Sequence, residues 1–517
     1  MSEEELERAG GATLDWLQGG LERLAPAPVV NRLGRVTRAG DGVAAVQGLH
    51  RPLAGELLEI AEVPARVESL FPDEARVVLL GDPLRVRSGQ RVRRAGRVLD
   101  IPTGERVLGR VVDPLGRPLD ARGALPAGGR SPVERDPVRL AQREPVSRPL
   151  RTGCFVLDTM IPIGMGQRQL VIGDRSTGKT ELCLDILMAQ PAEVVCVYVG
   201  IGRRGAELAN TVDVLRQGGV LEHGFVVAAD ADDPLGLIHL APYAATSMAE
   251  DLLHAGRDVL IVYDDLSAHA QVHRALALLL GRPVGREAFP VDVFFAHASL
   301  LERATQLGEA SGSGSLSALA IVETQAGDLS SYIPTNIVSI TDGQIRLDAH
   351  LAAAGMTPAV DVGLSVSRVG GKAQPPAVRG LAGRLKNDYA QFLELETFAR
   401  LGSRLEASAR ETLAHGQRVR ETLRQERGGS CSWADTLGRL ILLGRPELRR
   451  LPQERVRPAM SQALARVEAE LPAAWRALER AELPDAHELE GLVACALRAW
   501  GPHLRDPHDP HDPEERE

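Results

Sequence analysis

Gly173-Asp174-Arg175-Ser176-Thr177-Gly178-Lys179-Thr180 is the stretch on which the reading of this chain turns. It fits the pattern G-x-x-x-x-G-K-[ST], and its flanks are those the pattern requires. An apolar strand, Gln169-Leu170-Val171-Ile172, runs into it, and an apolar helix from Glu181 to Ala189 leaves it. The glycines let the backbone turn sharply, so that successive N–H groups converge on one anion, and the helix N-terminus adds its dipole. On this reading Gly173, Asp174, Arg175, Ser176, Thr177 and Gly178 form a phosphate cradle. Lys179 neutralises the β- and γ-phosphates of a nucleotide, and the Thr180 hydroxyl ligates Mg²⁺. A chance Gly-rich turn is the alternative, and the flanking strand and helix argue against it.

Lysine usage points the same way. Of 60 basic residues only Lys179, Lys372 and Lys386 are lysines. A lysine kept against such an arginine bias marks a place where a compact ammonium is needed. A nucleotide site of this type also needs an acidic residue at the end of a buried strand. Val259-Leu260-Ile261-Val262-Tyr263-Asp264-Asp265 supplies it. Asp264 directly follows the apolar run and is read as the water-bridged Mg²⁺ contact, whereas Asp265 is read as the cap of the next helix. Gly200-Ile201-Gly202-Arg203-Arg204-Gly205 fits the dinucleotide pattern G-x-G-x-x-G, but a lone match is weak and the phosphate loop already claims the first turn of this sheet. His503, His508 and His511 near the end could bind a metal, against which stands the low-complexity run DPHDPHDPEERE, read as a disordered tail.

Outward from the loop the texture changes twice. Residues 1–30 read as a helix, roughly Glu3–Leu24, closed by Ala25-Pro26-Ala27-Pro28. Residues 31–98 carry short Val-, Leu- and Arg-rich runs punctuated by glycine, the pattern of a small antiparallel β-barrel. Residues 99–380 alternate apolar β-rich runs with helical segments, the mark of a parallel α/β sheet. Its expected strands are Gln169–Ile172, Val194–Val199, Phe225–Ala229, Val259–Tyr263 and Ala318–Glu323. Residues 381–505 read as an all-α bundle and 506–517 as the tail.

Composition narrows the function. Hydrophobic residues make up 44% and charged residues 25%, the balance of a globular protein. A net charge of −9 and an aromatic content of 3% argue against a nucleic-acid partner, which calls for a basic face and stacking rings. No run of about 18 apolar residues is present to span a bilayer. The N-terminus MSEEELERAGGATLDWL is acidic and has no apolar core, so no secretory signal is expected. Cys154, Cys183, Cys196, Cys431 and Cys495 lie at no metal-ligand spacing and are expected to be reduced thiols in the cytoplasm.

Several longer segments resemble the alpha subunit of F-type ATP synthases. They are Met160–Gly164, Tyr263–Ser267, Pro283–Pro290, Glu323–Asp328, Ile333–Ile345 and Gly363–Gly371, with the resemblance running from about residue 30 to 425. It implies a multidomain chain: a β-barrel crown, a central RecA-like α/β P-loop domain and a C-terminal all-α bundle. It further implies ATP or ADP with Mg²⁺ as ligand, and an alternating three-plus-three ring with beta subunits. A central-stalk gamma subunit, peripheral-stalk subunits and a place at the cytoplasmic face of the bacterial inner membrane complete the expectation. In that family beta carries the catalytic site and its general-base glutamate, where alpha subunits usually have glutamine. Arg203 stands there in this chain, and an arginine cannot act as a base. Arg368, in Ser365-Val366-Ser367-Arg368-Val369-Gly370-Gly371, resembles the arginine finger that alpha extends to the beta site, and Ser365 matches a serine linked to cooperation between sites.

The chain departs from the family pattern elsewhere too. Ser176 replaces a glutamine in the loop, and Thr357 stands where an adenine-side arginine is common. In Arg424-Gln425-Glu426-Arg427 only Gln425 remains of a base-side glutamine pair. These differences suggest a divergent, alternate synthase, moving H⁺ or Na⁺. A self-sufficient export ATPase would need a glutamate at Arg203. A Rho-like helicase would want an aromatic-bearing barrel, and residues 33–99 contain only Phe71.

Overall fold

A computed structural model describes residues 33–400 and 406–504. The helix expected at Glu3–Leu24, the tail at 506–517, and His508 and His511 lie outside the described residues. The chain divides into two compact units that part between Val98 and Leu99.

The first unit is a closed antiparallel barrel of six strands: β1 (Gly34–Gly40), β2 (Val43–Gln47), β3 (Glu56–Ile60), β4 (Val63–Leu70), β5 (Ala75–Leu79) and β6 (Arg91–Val98), in the order β1-β2-β5-β4-β3-β6. Alternate residues point inward, so Leu58, Ile60, Val63, Ala65, Val67, Val77, Leu79 and Val92 fill the interior. Glu56, buried at the start of β3, receives two hydrogen bonds from Arg94 on β6 at 2.6 and 2.7 Å and one from the Leu53 N–H at 3.0 Å. A buried carboxylate met by a two-pronged guanidinium recovers much of its desolvation cost.

The second unit is built on a largely parallel sheet. Its main strands are β7 (Val111–Val112), β8 (Arg168–Asp174), β9 (Val194–Arg203), β10 (Gly224–Asp230), β11 (Asp258–Asp264), β12 (Ser315–Thr324), β13 (Gly343–Leu347) and β14 (Val366–Ser367), and two short antiparallel strands, Arg143–Glu144 and Thr305–Leu307, extend the sheet off β12. The main strands run in the order β14-β13-β8-β12-β11-β9-β10-β7, parallel from β13 to β7, with β14 antiparallel at the edge. Helices cover both faces, which is why the central strands read as unbroken apolar runs rather than alternating ones. All five expected strands are present, each longer by one to several residues. The helices that follow β8, β9, β10 and β11 are α1 (Lys179–Met188), α2 (Gly205–Gln217), α3 (Leu235–His254) and α4 (Leu266–Leu279). Two further helices, α5 (Val293–Leu301) and α6 (Tyr332–Ile340), flank β12.

From Pro376 the same unit becomes helical: α7 (Pro376–Arg400), α8 (Ala407–Leu423), α9 (Trp433–Leu443), α10 (Val456–Glu470), α11 (Pro472–Glu479) and α12 (Ala486–Leu504). Ser432 and Asp435 form a reciprocal capping box that starts α9. The α7–α8 crossing is tight because Gly416 faces the Phe392 ring, where an added Cβ would lie 2.1 Å from the ring carbons. Trp500 is fully buried and spends its indole N–H on the Ala459 carbonyl at 3.1 Å. Among the described residues no helix is long and apolar enough to cross a membrane.

Candidate functional site

Parallel packing brings the carboxyl ends of β8, β9, β11 and β12 to one edge of the sheet, where open α/β sheets take their ligands. The register sets Asp174 beside Thr324 and Gly200 beside Asp264. The phosphate loop rises from this edge. Ser176 (φ 61°) and Gly178 (φ 94°) hold left-handed backbone, which turns the chain into α1. Gly173 must be glycine because a Cβ there would lie 2.6 Å from the Leu347 carbonyl oxygen.

Asp174 does not face the loop's mouth. Its Oδ1 accepts from the Thr324 hydroxyl at 2.6 Å and the Gly327 N–H at 2.8 Å. Burial works to raise its pKa, but these two bonds and the charges of Lys179 and Arg346 hold it below the usual carboxylate range. The Thr177 hydroxyl donates to the Asp174 carbonyl at 2.8 Å. Lys179 is buried and its Nζ donates to the Gly173 and Asp174 carbonyls at 3.0 and 2.6 Å, inside the cradle it is expected to serve. Burial lowers its pKa against the pull of Glu323, Asp265, Asp264 and Asp174. Arg175 and Ser176 are exposed, and Arg175 pairs with Glu323 at 3.2 Å.

Asp264 and Thr180, 84 residues apart, meet directly. Asp264 is fully buried at the end of β11, and its Oδ2 accepts from the Thr180 hydroxyl and from the Tyr198 hydroxyl, both at 2.8 Å. Its Oδ1 is buried with no hydrogen-bond donor. The cation facing that oxygen is Arg203, at 3.6 Å, which also pairs with Glu207 at 3.2 Å. Burial works to lower the Arg203 pKa, but the Asp264 charge, with Tyr198 and Glu207, holds it above the ordinary value. Asp265 accepts from the Ala268 N–H at 2.6 Å and caps α4, and burial beside Asp264 pushes its carboxyl up to about 6. A hydroxyl and a carboxylate in contact, the carboxylate with one oxygen that receives no hydrogen bond, are the oxygen ligands a hard divalent cation takes. The residues therefore fit Mg²⁺, with Arg203 as the departure.

Beside the loop lies a cavity of about 140 Å³. Ser176–Gly178, Glu181 and Asp185 form one wall, Thr152–Cys154 and Met356–Ala359 two others, and Gln425–Arg427 the rim. The Gln425 side chain is committed to the wall itself. Its amide donates to the Gly153 carbonyl at 2.7 Å and accepts from the Phe155 N–H at 3.0 Å, tying the helical region to the loop preceding the short helix Phe155–Met160. Asp185 accepts from the Gly428 N–H at 3.0 Å, and Arg427 lies 3.9 Å from Glu181. The wall of Met356–Ala359 carries Thr357 where the resemblance led one to expect an arginine, and the acidic groups of the cavity, Glu181 and Asp185, lie on the wall formed with Ser176–Gly178.

Arg368 is not brought to this edge. β14 pairs Ser367 with Gly343, at the start of β13, and the Arg368 N–H donates to the Asp342 carbonyl at 2.8 Å. Asp342 in turn holds Arg168, the first residue of β8, through three bonds of 2.7–3.0 Å. Arg368 thus lies near the start of the strand whose far end carries the phosphate loop. Six residue steps at about 3.3 Å put roughly 20 Å between those ends. The Arg368 side chain is exposed and has no hydrogen-bond or ion-pair partner among the described residues. Ser365 anchors the turn before it, donating to the Asp361 carbonyl at 2.6 Å and accepting from the Arg346 N–H at 2.9 Å.

Other expectations resolve simply. In the second glycine run, Gly200 lies within β9 and Gly205 opens α2. His503 sits on α12, 2.8 Å from Gln462, and no group of three metal-ligating side chains occurs among the described residues. All five cysteines are buried and free. Tyr198 and the Thr324–Asp174 bond were not anticipated, because both depend on strand neighbours distant in sequence.

Comparison with known proteins fixes the family. Residues 153–367 match the ATP synthase alpha/beta family, nucleotide-binding domain, and residues 374–496 match the ATP synthase alpha/beta chain, C terminal domain. The chain is 47% identical over 470 residues to ATP synthase subunit alpha 2 of Polaromonas naphthalenivorans, covering 90% of each. Against ATP synthase subunit alpha 2 of Syntrophotalea carbinolica it is 45% identical over 496 residues, covering 95% of this chain and 94% of the other. With ATP synthase subunit alpha 1 of Chlorobium luteolum the identity is 48% over 428 residues, or 82% and 84%. A phosphate loop on a parallel sheet, a barrel unit before it, a helical region after it and alpha-subunit relatives along nearly the whole length make this chain a member of the ATP synthase alpha-subunit family.

Proposed function

We propose that this chain is the non-catalytic nucleotide-binding subunit of a rotary ATP synthase, and that it lends Arg368 to the catalytic site of a neighbouring beta subunit. The observation that carries the proposal is the placement of Arg368: exposed, without a hydrogen-bond or ion-pair partner among the described residues, and roughly 20 Å of strand away from its own phosphate loop. A guanidinium so placed serves a phosphate held by another chain.

The chain's own site binds ATP or ADP through the loop 173–180, with Thr180 and Asp264 holding Mg²⁺, which supplies charge neutralisation for the phosphates. It lacks a base. Arg203 occupies the place where one would stand, the Glu207 carboxylate is tied to Arg203, and Glu323 is tied to Arg175. Residues 31–98 form the crown of the ring, 99–380 the nucleotide domain and 381–505 the helical domain. The chain alternates with beta subunits three and three, around a central gamma subunit and under a peripheral stalk. The assembly sits at the cytoplasmic face of the bacterial inner membrane, coupling ATP turnover to H⁺ or Na⁺ transport; among the described residues no helix is long and apolar enough to cross a membrane, and a net charge of −9 argues against a nucleic-acid partner.

The test compares ATP hydrolysis by the purified chain with that of the chain mixed with its beta partner. Binding without turnover by the chain alone, and turnover by the mixture, are expected. Sustained hydrolysis by the chain alone would overturn the non-catalytic reading.

A further inference from the structure

The Tyr198 hydroxyl donates to Asp264 Oδ2 at 2.8 Å, the same oxygen that receives the Thr180 hydroxyl. The parallel register brings the phenol there. Tyr198 pairs with Val262 and Gly200 with Asp264, so Tyr198 starts two residues short of Asp264 on the neighbouring strand. Its ring runs alongside Gly200, where an added Cβ would lie 3.6 Å from the ring carbon Cε1. The ring is buried, and a buried tyrosine needs a partner for its hydroxyl. Here that partner is the carboxylate at the foot of the cradle.

Asp264 is held from two sides. Arg203 faces Oδ1 at 3.6 Å, and that oxygen receives no hydrogen bond, whereas the two hydroxyls hold Oδ2. An ionised carboxylate can only accept, so both hydroxyls donate to it. The single proton of Thr180 is thereby spent on Asp264, and the Thr180 oxygen keeps its lone pairs for an electron-pair acceptor, which is what a hard cation is. Thr180 is half-buried in the first turn of α1, next to Lys179. Without the Tyr198 bond, Thr180 alone would hold the carboxylate against the attraction of Arg203, and its own proton would be less firmly placed. We propose that Tyr198 is a positioning residue for the divalent cation: it fixes the Asp264 carboxylate against Thr180 and so presents the Thr180 oxygen as a metal ligand. This rests on the reading of the site as one that holds Mg²⁺ with a nucleotide.

The experiment is equilibrium dialysis of labelled ATP against the full-length chain, in excess EDTA and in excess Mn²⁺, for the wild type, Tyr198→Phe, Thr180→Val and the double variant. The ratio of the two affinities is the gain that the cation supplies. Partners that orient metal ligands are worth roughly ten- to hundredfold in metal affinity. Tyr198→Phe is expected to cut the Mn²⁺ gain by that factor while leaving ATP binding in EDTA within about threefold of wild type. Thr180→Val is expected to cut the gain as well, and adding Tyr198→Phe to it should change the gain by less than about threefold, because both act through one oxygen. Electron paramagnetic resonance of the bound Mn²⁺ counts the cation directly in each sample. A Mn²⁺ gain that survives Tyr198→Phe or Thr180→Val overturns the proposal, as does an equal loss in both media, which would make Tyr198 a structural residue only. No Mn²⁺ gain in the wild type would overturn the metal-site reading itself, a result distinct from all of these.

Discussion

Replacing Arg368 by alanine separates a fold role from a role in a neighbour's chemistry. Among the described residues the side chain has no hydrogen-bond or ion-pair partner, and the bond from the Arg368 N–H to the Asp342 carbonyl at 2.8 Å survives in alanine. The folded chain should lose no more than about 0.5 kcal/mol, the range for surface substitutions clear of special contacts. In the assembled ring the same change removes a guanidinium from a transferring phosphoryl group. That loss amounts to about 10³–10⁵ in rate, or roughly 4–7 kcal/mol of transition-state stabilisation. Thermal unfolding of the chain and steady-state ATP hydrolysis of the chain reassembled with its beta partner measure the two quantities, and Arg368→Lys keeps the charge without the planar fork. A normal unfolding temperature with hydrolysis reduced at least a thousandfold is expected. Hydrolysis within about tenfold of wild type, in a ring of normal composition, would refute the assignment.

Other substitutions test the site and its scaffold. Lys179→Gln should weaken ATP binding roughly ten- to hundredfold, the worth of a charge-assisted hydrogen bond, as read by equilibrium dialysis. Glu250→Ala should cost about 3–5 kcal/mol in chemical denaturation. It strands Arg303, whose guanidinium is 2% exposed and bonded to Glu250 at 2.7 and 2.6 Å. His297 is buried beside His269 at 3.1 Å, and burial, with the charge of His273, lowers its pKa from 6.5 to about 3. The unfolded chain takes up a proton there near pH 6.5 and the folded chain does not, so this contribution is present above pH 6.5 and lost as the pH falls toward 3. His297→Gln should therefore reduce the acid slope of stability by up to about 1.4 kcal/mol per pH unit, measured by denaturation at several pH values, and an unchanged slope would count against a buried neutral histidine. Glu56→Ala, which leaves Arg94 unpaired at the barrel seam, should lower the stability of the barrel by an amount of the same kind as Glu250→Ala, visible in hydrogen exchange of β3 and β6.

Much of this was legible in the residues. The run 173–180 could be read as a phosphate cradle because the signal is local: glycines at a sharp turn, N–H groups at one helix start, a lysine six residues past the first glycine. The five central strands were readable because a strand buried on both faces must be apolar throughout. β7 and β13 were not, since Val111–Val112 is two residues long and Gly343–Leu347 alternates buried and half-buried positions near the sheet edge. The pattern around Arg368 marked that residue out, yet nothing in the pattern placed it at the opposite end of β8 from the loop. That required the pairing of Ser367 with Gly343. Gln425 was read as a base contact, and its amide holds the backbone of Gly153 and Phe155, some 270 residues earlier, as part of the cavity wall.

The sequence by itself determined the kind of ligand and the layered α/β class, because each follows from residue type and local spacing. Tertiary structure alone decided who meets whom at the edge of the sheet. It put Thr180 and Tyr198 on one oxygen of Asp264, left the other oxygen to Arg203, and kept Arg368 away from its own phosphate loop. The physical reason is that parallel strands are joined by long crossovers, so neighbours in the sheet are distant in the chain, and only the hydrogen-bonded register says which strand ends lie side by side.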